Sequence, residues 1–197
     1  GYFSSSSFHG ELYNKNLGII GYGHIGKEIS KRAKAFGMDI SALVRNINKY
    51  KSTRNVNFIS IKDIKNIIHK FDYLIIACPL NNETKDLVNL NLMKRMNKKS
   101  VIINIARGPI INEKDLYTVL KNKLIRGAVI DVWYNYPKNG VTKNLYPSKY
   151  PFHKLKNITF SPHSSAWSSQ LWDRRFKFIC ENLENLYNNK KIKNIVS

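Results

Sequence analysis

The sequence predicts an α/β fold: a Rossmann-type, doubly wound parallel sheet in a single domain. Short apolar runs alternate with amphipathic segments of about 8–15 residues, which is the pattern of strands joined by covering helices. A glycine-rich turn joins the first run to the first amphipathic segment. No internal repeat or long linker divides the 197 residues, so one sheet accounts for the whole alternation.

The first half of the chain supplies three expected strands and two expected helices. The strands are the apolar runs 17–20, 40–44 and 73–77. Apolar side chains recur at helical spacing over residues 25–36 and 61–70, and Ser60 is a suitable N-cap for the second helix. Residues 45–59 are basic and rich in asparagine, and we expect them to form a connection without a strand.

The second half continues the alternation. The expected strands are 101–105, 127–132 and 157–161, and the expected helices are 90–96, 113–122 and a long closing helix over 167–188. A loop rich in proline, tyrosine and lysine runs from 133 to about 156. We therefore divide the chain into an N-terminal segment (1–16), a dinucleotide-binding domain (17–166) and a C-terminal closing helix and tail (167–197).

Composition limits the class of protein. With 43% hydrophobic residues the chain can bury a sizeable core. The net charge of +20 would suit a nucleic-acid partner, but the lysines are spread along the chain, so we interpret them as a solvated surface and expect no nucleic acid. Cys78 and Cys180 form neither a disulfide framework nor a zinc pattern, which favours a cytoplasmic compartment. We expect no metal site, and no apolar run approaches the ~20 residues of a membrane span.

The stretch LGIIGYGHIGKEI contains a G-x-G-x-x-G turn between the first strand and the first helix. Its glycines have separate tasks: Gly21 makes the tight turn, Gly23 lets a pyrophosphate approach, and Gly26 packs the helix on the strand. His24 and Ile25 begin the helix, whose free N–H groups favour phosphate. The placement of this motif predicts a dinucleotide site rather than a structural turn.

The end of the second expected strand bears on the choice of cofactor. NAD sites usually place an Asp or Glu there to bind the ribose 2′-hydroxyl, whereas this strand ends in Val44-Arg45. A guanidinium suits a 2′-phosphate, so we favour NADP(H) over NAD(H). The alternative is that Arg45 is one more exposed base on a basic chain.

Five motifs in order give the chain a family resemblance. LGIIGYGHIGKEI, ACPLNNETKDLV, VIINIARGPIINEKDL, GAVIDVW and TFSPHSSAW occur as in the NAD-binding domain of D-isomer-specific 2-hydroxyacid dehydrogenases, which the chain resembles from about Glu11 to its C-terminus. The resemblance implies hydride transfer between NAD(P)H and a small 2-oxo or 2-hydroxy acid, and a homodimer. It also implies that residues 1–16 lead in from a missing substrate domain.

The resemblance assigns roles to particular residues. Arg107 would bind the carboxylate and carbonyl of the substrate, a task that a planar guanidinium suits; the alternative is a structural ion pair at a strand end. His163 would transfer the proton, because imidazole titrates in the useful range. The implied cofactor contacts are Pro79, Ile105, Ala106, Asp131, Ser165 and Ala166.

Two departures from the family pattern leave the activity open. In the family a glutamate usually stands five residues after the aspartate that matches Asp131, and it pairs with the histidine that matches His163. In this chain Tyr136 occupies that position. Three interpretations stay open. Tyr136 hydrogen-bonds His163 in place of the glutamate, or the reaction needs no proton transfer, as in the related formate dehydrogenases. The third is that the site is catalytically weak. The second departure is the missing substrate domain, so we expect this stretch alone to bind nucleotide and turn over poorly. The alternative function is a non-catalytic, nicotinamide-sensing regulatory module.

Overall fold

A computed structural model of the chain describes residues 10–137 and 145–195. Of the predicted N-terminal segment 1–16, residues 1–9 lie outside this description, as do residues 138–144 of the predicted loop. The described residues contain a parallel sheet of seven strands. The strands are β1 Asn16–Ile20, β2 Asp39–Val44, β3 Asn57–Ser60, β4 Tyr73–Ile76, β5 Val101–Asn104, β6 Gly127–Ile130 and β7 Ile158–Phe160.

The described residues form five α-helices. They are α1 His24–Ala35, α2 Ile64–Ile67, α3 Leu90–Met93, α4 Glu113–Lys121 and α5 Leu171–Tyr187. The prediction of one continuous helix over 61–70 is wrong. Only its centre, α2, is α-helical, and a 3₁₀ turn lies on each side of it. The predicted cap is confirmed, since the Ser60 hydroxyl accepts a hydrogen bond from the Lys62 N–H at 3.3 Å.

Strand β3 corrects the sequence prediction, which assigned residues 45–59 to a connection. Asn57–Ser60 pairs with β2 in parallel, from Ser41 opposite Asn57 to Val44 opposite Ser60. It is an edge strand of four residues and no side chain in it is fully buried. Because it lacks a run of apolar residues, its sequence resembles the polar loop that precedes it.

The strand order is β3-β2-β1-β4-β5-β6-β7, so the winding reverses between β1 and β4. Ile20 of β1 lies opposite both Leu43 of β2 and Ile76 of β4. Ligands of open α/β sheets bind in the crevice outside the carboxyl ends of the strands at such a reversal. The turns after β1, β2 and β4 therefore meet where a dinucleotide site is expected.

The sheet separates two apolar clusters. Ile19 and Ala42 belong to the smaller cluster, which includes Ala33 of α1, whereas the neighbouring Ile20 and Leu43 belong to the larger one, with residues of α2, α3 and α4. Successive side chains of a strand point to opposite faces, so α1 covers one face and the other three helices cover the opposite face. This is the predicted doubly wound arrangement, and it fixes the ends of the strands firmly.

The chain divides into two compact units, residues 1–162 and residues 163–197. The first unit contains the sheet and α1–α4. The second contains α5, which is four residues shorter at its start than the predicted closing helix over 167–188. Within the described ranges, none of the helices has the length and apolar character needed to cross a membrane.

Candidate functional site

The turn after β1 requires glycine at two positions because the protein itself leaves no room there. Gly21 has a φ of +93°, and a Cβ atom on it would lie 2.8 Å from the Cα atom of Cys78. A Cβ atom on Gly26 would lie 2.3 Å from the carbonyl oxygen of Gly21. The first glycine thus makes the tight turn and the last packs α1 against the end of β1, as the motif predicts.

Gly23 differs from both, because a Cβ atom there would meet nothing within 4 Å. It is the N-cap of α1, with φ −79° and ψ −159°, and it supplies no side-chain cap to the helix. His24 and Ile25 follow as exposed residues, and the first turn of α1 contains no acidic side chain. The uncapped N–H groups and the positive end of the helix dipole suit an anion, and the space beside Gly23 lets it approach.

The end of β2 has an ion pair that the sequence did not reveal. Val44 is buried and Arg45 is exposed, with its Nη1 atom 3.3 Å from the Oε2 atom of Glu83. The two side chains are 77% and 67% exposed, so the pair contributes little to stability. A phosphate near Arg45 would therefore compete with Glu83 at small cost.

The loop that follows β4 is held in one conformation by its own polar groups. The Asn81 side-chain oxygen accepts hydrogen bonds from the N–H groups of Glu83 and Thr84, each at 3.0 Å. The Thr84 hydroxyl donates to the carbonyl oxygen of Pro79 at 2.7 Å. These bonds fix exposed Pro79 and the backbone of Glu83 beside the reversal of the sheet.

Asn104 organises the turn that contains Arg107. This side chain is 1% exposed, and its amide nitrogen donates to the carbonyl oxygen of Arg107 at 2.9 Å. Its side-chain oxygen accepts from the N–H of Ala106 at 3.1 Å. A buried amide whose donor and acceptor both bind one turn fixes the backbone of that turn. A polar residue ending the apolar run VIIN was the available sequence signal.

Arg107 itself is exposed at the carboxyl edge of the sheet. Its Nη1 atom donates to the carbonyl oxygen of the neighbouring Ala106 at 2.6 Å, and Ile105 and Ala106 are half-buried. The next residue is held closely, because a Cβ atom on Gly108 would lie 2.3 Å from the carbonyl oxygen of Trp133. The arginine therefore projects from a turn that is anchored on both sides.

Asp131 directly follows β6, beside this turn. It is 5% exposed, its N–H donates to the carbonyl oxygen of Asn104 at 3.0 Å, and its carboxylate accepts a hydrogen bond from the Ser161 hydroxyl. Tyr136 lies farther along the same loop, and its hydroxyl oxygen accepts from the N–H of Trp133 at 2.9 Å. The ends of β5, β6 and β7 are thus joined by hydrogen bonds at the edge where Arg107 is exposed.

The second unit begins with His163. Its φ is +60°, a left-handed conformation that is uncommon outside glycine and often found at functional positions. His163, Ser164, Ser165 and Ala166 are all exposed, and the N–H of Trp167 donates to the carbonyl oxygen of Ser164 at 2.9 Å. Because Arg107 belongs to the first unit and His163 to the second, their action in a common crevice stays a prediction.

Cys78, beside the glycine turn, has a strongly raised pKa. Burial raises the pKa of its thiol to about 11, because the thiolate would lose its hydration. The thiol is therefore protonated at neutral pH and unsuited to nucleophilic attack. Among residues 10–137 and 145–195, no three His, Cys, Asp or Glu side chains group as metal ligands would.

Comparison with known families gives a match over most of the chain. Residues 2–165 match the family described as "D-isomer specific 2-hydroxyacid dehydrogenase, NAD binding domain". The chain is 31% identical over 187 residues to a D-3-phosphoglycerate dehydrogenase of Methanocaldococcus jannaschii, covering 95% of this chain and 34% of that protein. It is 34% identical over 173 residues to a glyoxylate reductase of Pyrococcus horikoshii, covering 88% and 48%.

A solved structure shows the same fold. The chain superposes on the NADPH-dependent glyoxylate/hydroxypyruvate reductase of Sinorhizobium meliloti, in complex with NADP and sulfate, with a TM-score of 0.79 and 19% sequence identity. The match covers 96% of this chain and 58% of the other. The chain thus spans between about a third and about half of the length of the curated relatives.

Proposed function

The chain belongs to the D-isomer specific 2-hydroxyacid dehydrogenase family, and from that premise we propose that it is the coenzyme-binding domain of such an enzyme. The enzyme would transfer hydride between a nicotinamide cofactor and a small 2-oxo or 2-hydroxy acid. The observation that carries the proposal is the space beside Gly23 at the uncapped start of α1. The protein does not require glycine there, whereas a bound pyrophosphate does.

The residues at the carboxyl edge fit the cofactor. The N–H groups at the start of α1 would bind the pyrophosphate, and the exposed side chain of Ile25, the ring of Pro79 and the backbone of Ile105 and Ala106 would line its path. Asp131, Ser165 and Ala166 would lie near the nicotinamide, which supplies or accepts the hydride when bound. These assignments rest on the family motifs and on the positions of the residues within their own units.

Arg107 would bind the substrate by its carboxylate. Its guanidinium offers parallel N–H donors to a planar anion and polarises the neighbouring carbonyl. The turn held by Asn104 fixes the backbone from which it projects, so little conformational freedom is lost on binding. The arginine would give up only the bond to its own neighbour Ala106.

His163 would hold the proton that the substrate oxygen gains or loses. Tyr136 takes the place of the usual carboxylate, and we propose that it supports the imidazole by hydrogen bonding rather than by charge. A glutamate at position 136 would add a negative charge that favours the protonated imidazole, which reduction of a 2-oxo acid needs. A Tyr136→Glu variant should therefore keep its rate of reduction to a higher pH than the unsubstituted protein.

NADP(H) is the cofactor that we favour. Arg45 is exposed at the end of β2 and its present partner, Glu83, is exposed as well, so a 2′-phosphate could replace that carboxylate. Arg45→Gln should lower kcat/KM for NADPH at least tenfold and leave the value for NADH within about twofold. Equal kcat/KM values for both cofactors in the unsubstituted protein would contradict this preference.

Two glycine substitutions test cofactor binding itself. Gly23→Ala should leave the unfolding free energy within about 1 kcal/mol, because its Cβ atom has room, yet weaken NADPH binding at least tenfold. Gly26→Ala is the matched control, since its Cβ atom would lie 2.3 Å from a backbone oxygen and should destabilise the fold. Unchanged NADPH affinity in Gly23→Ala, measured by fluorescence titration, would refute the proposed site.

Turnover separates the enzyme from the sensing module. The complete gene product should reduce at least one of glyoxylate, hydroxypyruvate and pyruvate with a reduced nicotinamide cofactor. Tight cofactor binding without turnover of any 2-oxo acid would favour a regulatory module instead. We also propose a cytoplasmic homodimer, which sedimentation of the complete product and its localisation in cells test directly.

A further inference from the structure

A second concave surface lies at the amino edge of the sheet, opposite the glycine turn. It is an open groove with a volume of about 490 Å³, formed by the turns before β5, β6 and β7. The strands are parallel, so these three turns meet at one edge and the turn after β1 lies at the other. The groove is therefore distinct from the proposed cofactor site.

Seven of the eleven side chains that line this groove are basic and none is acidic. Lys98 and Lys99 precede β5, and Lys154 and Lys156 precede β7. The other three are Lys121, the last residue of α4, and Lys123 and Arg126 of the turn between α4 and β6. The sequence contains no Asp or Glu over residues 87–112, 116–130 or 132–172, so these turns bring no compensating carboxylate.

All seven basic side chains are exposed, and no ion pair of the described residues includes any of them. Like charges gathered in a concave surface repel each other and raise the local positive potential. Mobile counter-ions screen this potential beyond about 8 Å at physiological salt, but within the groove it remains available to a multivalent anion.

Lys123 places a cation in this groove at a left-handed backbone position, where lysine is unusual. Three helices end in the same motif, in which the second residue after the helix is left-handed and two backbone N–H groups donate back to carbonyl oxygens of the last turn. The left-handed residues are Gly37 after α1 (φ +73°), Lys123 after α4 (φ +52°) and Asn189 after α5 (φ +54°). Glycine and asparagine are the usual residues at that position. A lysine there interacts favourably with the negative end of the α4 dipole, and its ammonium group also adds a charge to the groove.

We propose that this groove binds a small, multiply phosphorylated anion. Three apolar side chains, Leu120, Ile125 and Leu155, line the groove together with the basic ones. The volume is that of a small-molecule site rather than of an extended polymer track. Ammonium groups on flexible stems bind phosphate as point charges without requiring one fixed geometry.

Inorganic tripolyphosphate is the probe that tests the proposal. Calorimetric titration at 0.15 M salt should give a Kd near or below about 0.1 mM. Amide chemical shifts should change at residues 98–99, 121–126 and 154–157, which separates this site from binding at the glycine turn. Because the readout is local, the test stands whether or not the nicotinamide site is confirmed.

Charge reversal in the groove should remove this binding. Lys99→Glu with Lys121→Glu should weaken tripolyphosphate binding at least tenfold. The matched control is Lys62→Glu with Lys65→Glu, which makes the same change of charge at exposed residues outside the groove and should weaken binding less than about twofold. Equal losses in both variants would show that only the overall charge matters and would overturn the proposal.

Lys123→Gly gives a second, independent test. The thermal midpoint should rise by about 2–4 °C, because glycine adopts the left-handed conformation without strain, while tripolyphosphate binding weakens several-fold. A rise in the midpoint without loss of binding would overturn the role of Lys123. Tighter binding of a short DNA duplex than of tripolyphosphate would overturn the small-anion assignment in favour of a nucleic acid.

Discussion

At the carboxyl edge of the sheet, Gly21, Gly26 and Gly108 have backbone or side-chain atoms within 3 Å of where a Cβ atom would stand, whereas the turns at the amino edge display exposed lysines. The first edge is defined by contacts between backbones and by two buried polar side chains, Asn104 and Asp131. The turns at the second edge are also closely packed, since a Cβ atom on Gly127 would lie 2.6 Å from the carbonyl oxygen of Asn157, but the side chains that they expose are mostly basic. A function at the carboxyl edge therefore depends on individual atoms, and a function at the amino edge depends on the number of charges.

The largest effect expected from this contrast follows Arg107→Ala. In the complete gene product kcat/KM towards a 2-oxo acid should fall on the order of 1,000-fold, about 4 kcal/mol of transition-state stabilisation. Cofactor affinity and the unfolding free energy should hardly change, because the Arg107 side chain is exposed and its sequence neighbour Ala106 accepts its one hydrogen bond within the described residues.

Asn104→Ala sharpens the same comparison. Two backbone groups of the arginine turn would lose their partners, so the unfolding free energy should fall by about 2 kcal/mol as well as kcat/KM. An Arg107→Ala variant that keeps more than a tenth of the activity would remove the arginine from the mechanism.

Gly108→Ala is the next largest change. The added Cβ atom would lie 2.3 Å from the carbonyl oxygen and 2.5 Å from the carbonyl carbon of Trp133, neither of which can move without the chain. The unfolding free energy, measured with urea, should drop by about 3 kcal/mol. A loss below about 1 kcal/mol would mean that the two loops at this edge are not tightly packed.

Cys78 provides a pH-dependent test of burial at the carboxyl edge. Burial raises the pKa of its thiol from 9.0 to about 11, so between these values the unfolded chain loses its proton before the folded chain does. Stability should therefore decline from about pH 9 to pH 11, by on the order of 2 kcal/mol from this thiol. Cys78→Ser should flatten that part of the profile.

The exposed thiol of Cys180 in the second unit is the matched comparison. At pH 8 it should react with iodoacetamide much faster than Cys78, in two resolved phases. A single phase with equal rates would show that Cys78 is not protected.

The smallest effect is expected at the amino edge. Lys98→Ala removes one exposed side chain that has no carboxylate partner among the described residues, so the unfolding free energy should stay within about 0.5 kcal/mol. Denaturant titration beside Gly108→Ala gives the contrast in one experiment. A loss comparable to that of Gly108→Ala would show that the Lys98 side chain itself makes a specific stabilising contact at this edge.

The sequence predicted the features that depend on residues close together in the chain. The glycine-rich turn after β1 was predicted because three glycines stand at fixed spacing, and six strands were predicted because each is an apolar run. The segment 61–70 was placed correctly but overestimated as a helix. Its four isoleucines mark one face, yet β-branched residues favour helix only weakly, and the chain adopts 3₁₀ turns there.

The sequence did not predict the features that depend on side-chain hydrogen bonds and ion pairs, nor the short edge strand. Arg45 and Glu83 are 38 positions apart, and only the reversal of strand order brings them together. The role of Asn104 depends on the path of the turn after β5, which apolar periodicity does not describe. Strand β3 escaped because a short edge strand buries no complete side chain and so leaves no apolar signal.

The central position of β1 also bears on how the protein is made. Leu17 pairs with Ile40 on one side and with Tyr73 on the other, the latter 56 residues further along the chain. During synthesis the ribosome releases β1, β2 and β3 first, and they can pair at once. The opposite flank of β1 can pair only after β4 has emerged, so one edge of this central strand is unpaired in the nascent chain until then.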